Sequence, residues 1–268
     1  KTTAQKDKGV SSGDFENIGS NFYRWLINHE KTANLKSRKE ILNLLEKEIP
    51  FFIKLHEKIF NASQNFDKNL DSIYYLNKLG FAESIYYSLL TSSIKIDDNN
   101  ETINKKLSLV SKYLEIFTVF MAVNSKRYAQ SLRKNSLFPL VIKIRDTPIN
   151  DLKEILLKEF NNLEYTLDGI NQEMHPTEYN PGGILNLSLN GQNRKFIKFL
   201  LARMTTYIEN GSAKETSFEN YLNTTQKKPF QIEHLWCDDY NQFKEEFDQS
   251  VEWVKYRNSI ELGRASCR

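Results

Sequence analysis

The residue pair best suited to a chemical role is Glu233–His234, which lies within a short run of extended character at Lys228–Trp236. Neighbouring residues of an extended chain point to opposite sides, but a strand end or a bulge can re-aim them. The carboxylate could then hold a divalent metal while the imidazole removes a proton from water. An exposed Glu–His pair is also common without any role. The spacing alone therefore leaves both interpretations open.

A second set of candidates is basic and could contact the phosphates of DNA. Its members fall between residues 126 and 145: Lys126, Arg127, Arg133, Lys134, Lys143 and Arg145. The alternative is a solvated helix face whose cations pair with nearby acids. A shorter basic stretch allows the same two interpretations and lies on the polar side of an amphipathic segment: Arg194, Lys195, Lys198 and Arg203.

Other kinds of site find little support in the residue pattern. His29 and His56 lie among charges in helical segments and are expected at the surface, and His175 precedes a proline in a turn. The glycines match neither the Walker nor the Rossmann spacing, and there is no Gly-x-Ser-x-Gly or His-Glu-x-x-His motif. The cysteines, Cys237 and Cys267, exclude a disulfide scaffold and a spaced-cysteine zinc site. They favour a reduced, cytoplasmic setting.

The composition of the 268 residues is that of a folded globular protein, with 40% hydrophobic and 26% charged residues. A net charge of +3 is too small to indicate nucleic-acid binding by itself. No run reaches the roughly 18 apolar residues that a membrane helix needs, so we expect no membrane partner.

The elements that must position these residues are predicted to be mostly helices. After a polar linker at 1–19, apolar residues recur at helical spacing in five stretches, 38–60, 70–94, 103–131, 150–174 and 194–209. The fold class predicted is mainly α, an irregular multi-helix bundle.

Prolines, glycines and capping residues indicate where the predicted helices begin and end. Pro50 predicts a kink or the start of a second helix, and Gly80 weakens or divides its segment. Asn150 is a plausible N-cap for a helix reaching about Met174, and Asn210–Gly211 suits a C-cap. Apolar residues between 184 and 189 could form a short strand.

Short segments in a fixed order carry a family resemblance: Phe196–Arg203, Tyr207–Glu209, Phe218–Leu222, Phe230–His234, Trp253 and Arg257–Ile260. Together they resemble the C-terminal half of the GmrSD-like family of modification-dependent restriction and phage-defence proteins. The resemblance covers about 190–260 well and 20–190 only in helical character. There, Asn124–Tyr128 and Leu140–Arg145 stand in the expected places. The family implies an N-terminal nucleotide-binding, ParB-like domain, a helical middle and a C-terminal HNH-type nuclease with a ββα-metal core.

Under this resemblance, His234 matches the family's general base. Glu233 matches the acidic residue beside it, a possible ligand for Mg²⁺ or a similar divalent metal. The match breaks after Ile260, where the family continues with Gly-Asn-Leu and this chain has Glu261–Gly263. Asn258 lies upstream of the central HNH asparagine and is not its equivalent. The later metal-ligand helix and the N-terminal nucleotide-binding motif are missing as well.

The domain organisation that we expect is a linker at 1–19, a helical domain at 20–225, a truncated HNH-like segment with an incomplete ββα-metal core at 226–260 and a non-native tail at 261–268.

The expected function is that of a fragment in which the helical domain links nucleotide sensing to a metal-dependent nuclease. Its partners would be DNA and the N-terminal nucleotide-binding domain of the parent chain. One carboxylate and one imidazole hold a divalent metal poorly, so we expect no tight metal binding and little or no nuclease activity. The alternative is a non-enzymatic helical interaction or DNA-binding module.

Overall fold

The structure, a computed structural model, describes residues 21, 23–25, 27, 35, 37–80, 83–124, 130–171, 182–187, 189, 191–214, 217–232 and 245, with the backbone alone at 83–85 and 130–136. Its helices are α1 (Arg38–Asn43), α2 (Ile49–Gln64), α3 (Asp71–Leu79), α4 (Glu83–Ser92), α5 (Asn100–Val123), α6 (Gln130–Lys143), α7 (Ile149–Asn161), α8 (Arg194–Gly211) and α9 (Phe218–Leu222). A π-helical turn at Leu44–Glu48 joins α1 to α2, and a 3₁₀ turn lies at Ile184–Asn186.

The predicted mainly α class is confirmed. Within the ranges just given no β-strand occurs, and strand-like pairing is limited to an isolated antiparallel bridge between Tyr165 and Ile170. Helix by helix, the described part of the chain offers no segment with the length and apolar content of a membrane span. The predicted HNH-like segment lies outside the described residues from Glu233 onward, apart from residue 245.

The chain divides into two compact units. The first comprises residues 1–118 and 128–163, and the second comprises 119–127 and 164–268. Helices α2 to α7 build the core of the first unit from fully buried aliphatic side chains, among them Leu55, Ile59, Ile73, Leu76, Leu89, Leu90, Leu107, Leu114, Leu137, Val141 and Leu152. The core of the second unit includes Phe196, Ile197, Phe199, Ala202, Phe218 and Tyr221.

Local signals explain how the first unit's helices begin and end. Ser37 and Glu40 form a reciprocal capping box at the start of α1. Pro50 stands in the first turn of α2, directly after the π-helical turn. The backbone stays in the right-handed helical region on both sides of that turn, so the helical path runs on through the proline. Gly80 adopts φ +77° and ends α3, so it divides the 70–94 segment.

Three predicted boundaries are wrong. The helix expected from Asn150 to about Met174 begins at Ile149, after Pro148, and ends at Asn161. Beyond it the chain turns back through Gly169 (φ +133°), where Asn171 N–H donates to the Glu164 carbonyl at 2.7 Å.

The expected strand near 184–189 is instead a 3₁₀ turn, and its Leu185 side chain is exposed. Helix α8 continues through Gly211, and the left-handed residue after it is Ala213, with φ +53°. The helix expected over 103–131 is described only as far as Val123, because residues 125–129 lie outside the described ranges.

A buried lysine ties α5 to the loop before it. Lys106 is 1% exposed, and its ammonium donates to the Asp98 carboxylate at 2.7 Å and to the Ser93 carbonyl at 2.7 Å. The same carboxylate oxygen of Asp98 accepts the Lys95 N–H at 2.9 Å. The lysine therefore neutralises the partly buried Asp98 carboxylate and ties α5 to this turn.

Replacing Lys106 with Met should lower the free energy of unfolding by about 2–4 kcal/mol, because a partly buried carboxylate loses its cation. Denaturant titration measures the change. The control is Lys105→Met, since Lys105 is exposed and pairs with exposed Glu101. The control should leave stability almost unchanged, and equal losses in the two variants would refute the role given to the buried pair.

Candidate functional site

The predicted catalytic and metal residues, Glu233 and His234, lie outside the described residues, as do Lys126 and Arg127. Arg133 and Lys134 are placed in α6 by their backbone alone. The structure does describe the chain that leads into Glu233 and the residue that precedes the basic stretch, Asn124. Among the described side chains, no group of three or more His, Cys, Asp and Glu residues could hold a metal ion.

Helices α8 and α9 pack against each other just before the chain reaches Glu233 in the sequence. Phe199 of α8 and Phe218 of α9 meet edge to face, with ring centroids 5.6 Å apart. Both side chains are buried. Packing of this kind fixes the short helix α9, which is too short to be stable alone.

Tyr221 connects the end of α8 to the residues that precede Glu233. Its hydroxyl donates to the Glu209 carboxylate at 2.5 Å, and its ring meets the Phe230 ring at 4.9 Å between centroids. Phe230 lies three positions before Glu233 in the sequence. A series of contacts, Glu209–Tyr221–Phe230, thus anchors the segment that enters the predicted site.

Asn124 directly follows α5, and both the nitrogen and the oxygen of its side-chain amide form hydrogen bonds. Its Nδ2 donates to the carbonyls of Phe120 and Thr166, each at 2.8 Å, and its Oδ1 accepts the Gly183 N–H at 3.0 Å. The side chain is buried. These bonds fix a residue two positions before Lys126, where the basic stretch begins.

The Gly182–Gly183 pair is required by this arrangement. Gly182 adopts φ +54°, and a Cβ there would stand 2.2 Å from Asn124 Oδ1. Gly183 adopts φ +82°, and a Cβ there would stand 2.5 Å from the Asp168 carbonyl. Both backbone conformations are costly for residues with side chains. Nothing in the sequence pattern indicates the buried amide that these glycines enclose.

Gly182→Ala should destabilise the chain by about 1–3 kcal/mol, because of its left-handed backbone and its clash with a fully bonded amide. Thermal or denaturant unfolding measures this. Gly191→Ala is the matched control, since a Cβ at Gly191 meets nothing within 4 Å. A Gly182 variant as stable as the Gly191 variant would contradict the close packing described.

Two cations of the 126–145 stretch have acidic partners. Lys143, which is half exposed, forms an ion pair with Glu159 of α7. Arg145 Nε lies 3.2 Å from Asp146 Oδ2, and its side chain is only 11% exposed. Burial lowers the pKa of Arg145, and the Asp146 carboxylate opposes that shift. These two residues fit the alternative of ordinary local pairing better than they fit an open phosphate contact.

The cations at the start of α8 have a different environment. Arg194 and Lys195 are exposed and Lys198 is partly exposed. Among the described residues, none of the three makes an ion pair. Partial burial, and then the charge of Arg194, lower the pKa of Lys198.

His56 is an exposed residue, as the sequence predicts, and its ring stacks on Tyr87 at 4.2 Å between centroids. His29 and His175 lie outside the described residues.

Comparisons of the chain with protein-family models, curated proteins and solved structures find no match.

Tyr221→Phe should weaken the anchor before Glu233, because it removes the hydrogen bond to Glu209 and keeps the ring. We expect a stability loss of about 1–2 kcal/mol and faster amide hydrogen exchange at 230–232. Tyr207→Phe is the control, since Tyr207 is 76% exposed on α8, the helix that carries Glu209. Identical exchange in the two variants would show that the hydroxyl does not hold residues 230–232 in place.

Proposed function

We propose that this chain is the helical part of a GmrSD-like DNA restriction or phage-defence protein, linking nucleotide sensing to a metal-dependent HNH-type nuclease. One observation carries the proposal. Three segments of the resemblance that are separate in sequence meet through the Glu209–Tyr221–Phe230 contacts. Those contacts lead the chain into Glu233–His234, the pair that carries the proposed chemistry.

In the proposed parent site, His234 removes a proton from the attacking water and Glu233 is a metal ligand. A divalent metal supplies stabilisation of the charge that develops on the phosphodiester. The donors that this chain offers do not complete such a site. Mg²⁺ prefers oxygen ligands and is usually held by one or two carboxylates together with waters and substrate phosphates, whereas the resemblance assigns one carboxylate, Glu233, and one imidazole, His234. We therefore assign no cleavage step to this chain and expect little or no nuclease activity from it.

We propose that four cations contact DNA: Lys126, Arg127, Arg133 and Lys134. The support is positional, because Asn124 fixes the point at which the chain enters this stretch. Arg145 was part of the same prediction, but its ion pair with Asp146 and its burial favour a structural role. The proposal therefore rests on the other four cations.

Replacing Lys126, Arg127, Arg133 and Lys134 together with Gln should weaken binding to a short duplex and flatten its salt dependence. Each lost phosphate contact lowers the slope of log affinity against log salt by about 0.9. Fluorescence anisotropy between about 50 and 200 mM salt measures both quantities. A control replaces exposed Lys39, Lys47, Lys112 and Lys153 with Gln. Equal losses in the two variants would remove the proposed interface.

One observation favours the alternative, a helical interaction module. Helix α1 and the π-helical turn contribute no buried residue, although their sequence is amphipathic. Large apolar side chains from this segment into the first turns of α2 are exposed, among them Ile41, Leu45, Ile49 and Ile53. Exposed apolar surface of this kind is typical of protein contacts. The duplex experiment separates the two proposals, since the alternative does not require DNA binding through the four cations.

A further inference from the structure

Helix α8 is charged in the opposite sense to its own dipole. Its cations are Arg194, Lys195, Lys198 and Arg203, and its acid, Glu209, lies near the C-terminal end. The N-terminal end of a helix carries partial positive charge and is normally stabilised by acids. The first turn of α8 has no acidic residue, and Asn193 makes no side-chain capping hydrogen bond. The cations at the N-terminal end of α8 therefore destabilise the helix unless a bound anion neutralises their charge.

Like charges are also adjacent along the helix surface. Lys198 has Lys195 and Arg194 as its neighbours three and four positions earlier. Such pairs repel each other. The lowered pKa of Lys198 is consistent with that repulsion, although burial is its larger cause. No ion pair with a described residue relieves these three cations.

The buried face of the helix holds in place the backbone that carries these cations. Phe196, Ile197 and Phe199 stand between and beside them in sequence and are buried in the second unit. From Arg194 to Lys198 the helix rises about 6 Å, so the three cations lie within little more than one turn. Positive charge concentrated in this way attracts the phosphates of a nucleic-acid backbone.

We propose that Arg194, Lys195 and Lys198 form a second phosphate-contact surface for a nucleic-acid strand, in addition to the stretch at 126–134. This inference extends the proposed DNA binding. The two surfaces use different residues, so each can be removed alone. The start of α8 recognises charge rather than base identity, because phosphate contacts position a nucleic acid without reading its sequence.

The test compares Arg194→Gln/Lys195→Gln/Lys198→Gln with a control of equal charge change, Lys47→Gln/Lys112→Gln/Lys153→Gln, in the full chain. Gln is a good helix former, and removing the repulsion should leave the unfolding temperature unchanged or raise it. We expect weaker binding to a short duplex and to a single strand. We also expect the slope of log affinity against log salt to fall by as much as about 2.7, which is 0.9 for each of three contacts.

The outcomes separate this inference from the proposed function. If the α8 variant and the control bind equally well, the α8 surface is refuted, whereas the 126–134 variant still tests the proposed function. If the α8 variant weakens binding and the 126–134 variant does not, the inference stands and the proposed interface fails. A wild-type chain that binds neither duplex nor single strand refutes both. Binding of inorganic pyrophosphate alone, lost in the α8 variant, refutes the nucleic-acid assignment in favour of a free phosphate ligand.

Discussion

The Tyr221 side chain makes two contacts that the second unit depends on. Its hydroxyl donates to Glu209 at the end of α8, and its ring packs against Phe230. A short helix such as α9 cannot hold its conformation alone, and its contacts with α8 and with Phe230 stabilise it. The position of the chain at residue 232, just before Glu233, therefore follows from the packing of a few aromatic rings and one charge-assisted hydrogen bond.

The buried amide of Asn124 imposes a comparable constraint earlier in the chain. An unsatisfied buried amide is costly, and here the carbonyls of Phe120 and Thr166 and the N–H of Gly183 satisfy it completely. This arrangement requires glycine at positions 182 and 183, because side chains there would overlap the Asn124 amide and the Asp168 carbonyl. One polar residue thus connects three distant segments and sets the start of the basic stretch.

Local signals in the sequence were sufficient for much of the fold. Apolar periodicity located the helices, and Gly80 predicted the division of the 70–94 segment. Predictions failed where long-range hydrogen bonds decide the structure. Apolar spacing suggested a helix through residue 174, but the turn at 164–171 satisfies its backbone by bonding across itself and to Ile184.

The candidate site was predictable only in part for the same reason. The resemblance segments were recognisable as a series, yet nothing in their spacing indicates that Tyr221 meets both Glu209 and Phe230. The partners of Asn124 lie 42 and 59 positions away. By contrast, the reversed charge pattern of α8 is visible in the sequence once the helix boundaries are known. What the structure adds is that Arg194, Lys195 and Lys198 make no ion pair with a described residue.

Amide hydrogen exchange of the full chain, with and without a short DNA duplex, tests the central claim that this helical protein engages nucleic-acid phosphates. The account predicts slower exchange in the presence of the duplex at residues 126–134 and at the start of α8. No protection at either segment, or protection confined to the apolar face of 38–53, would contradict it.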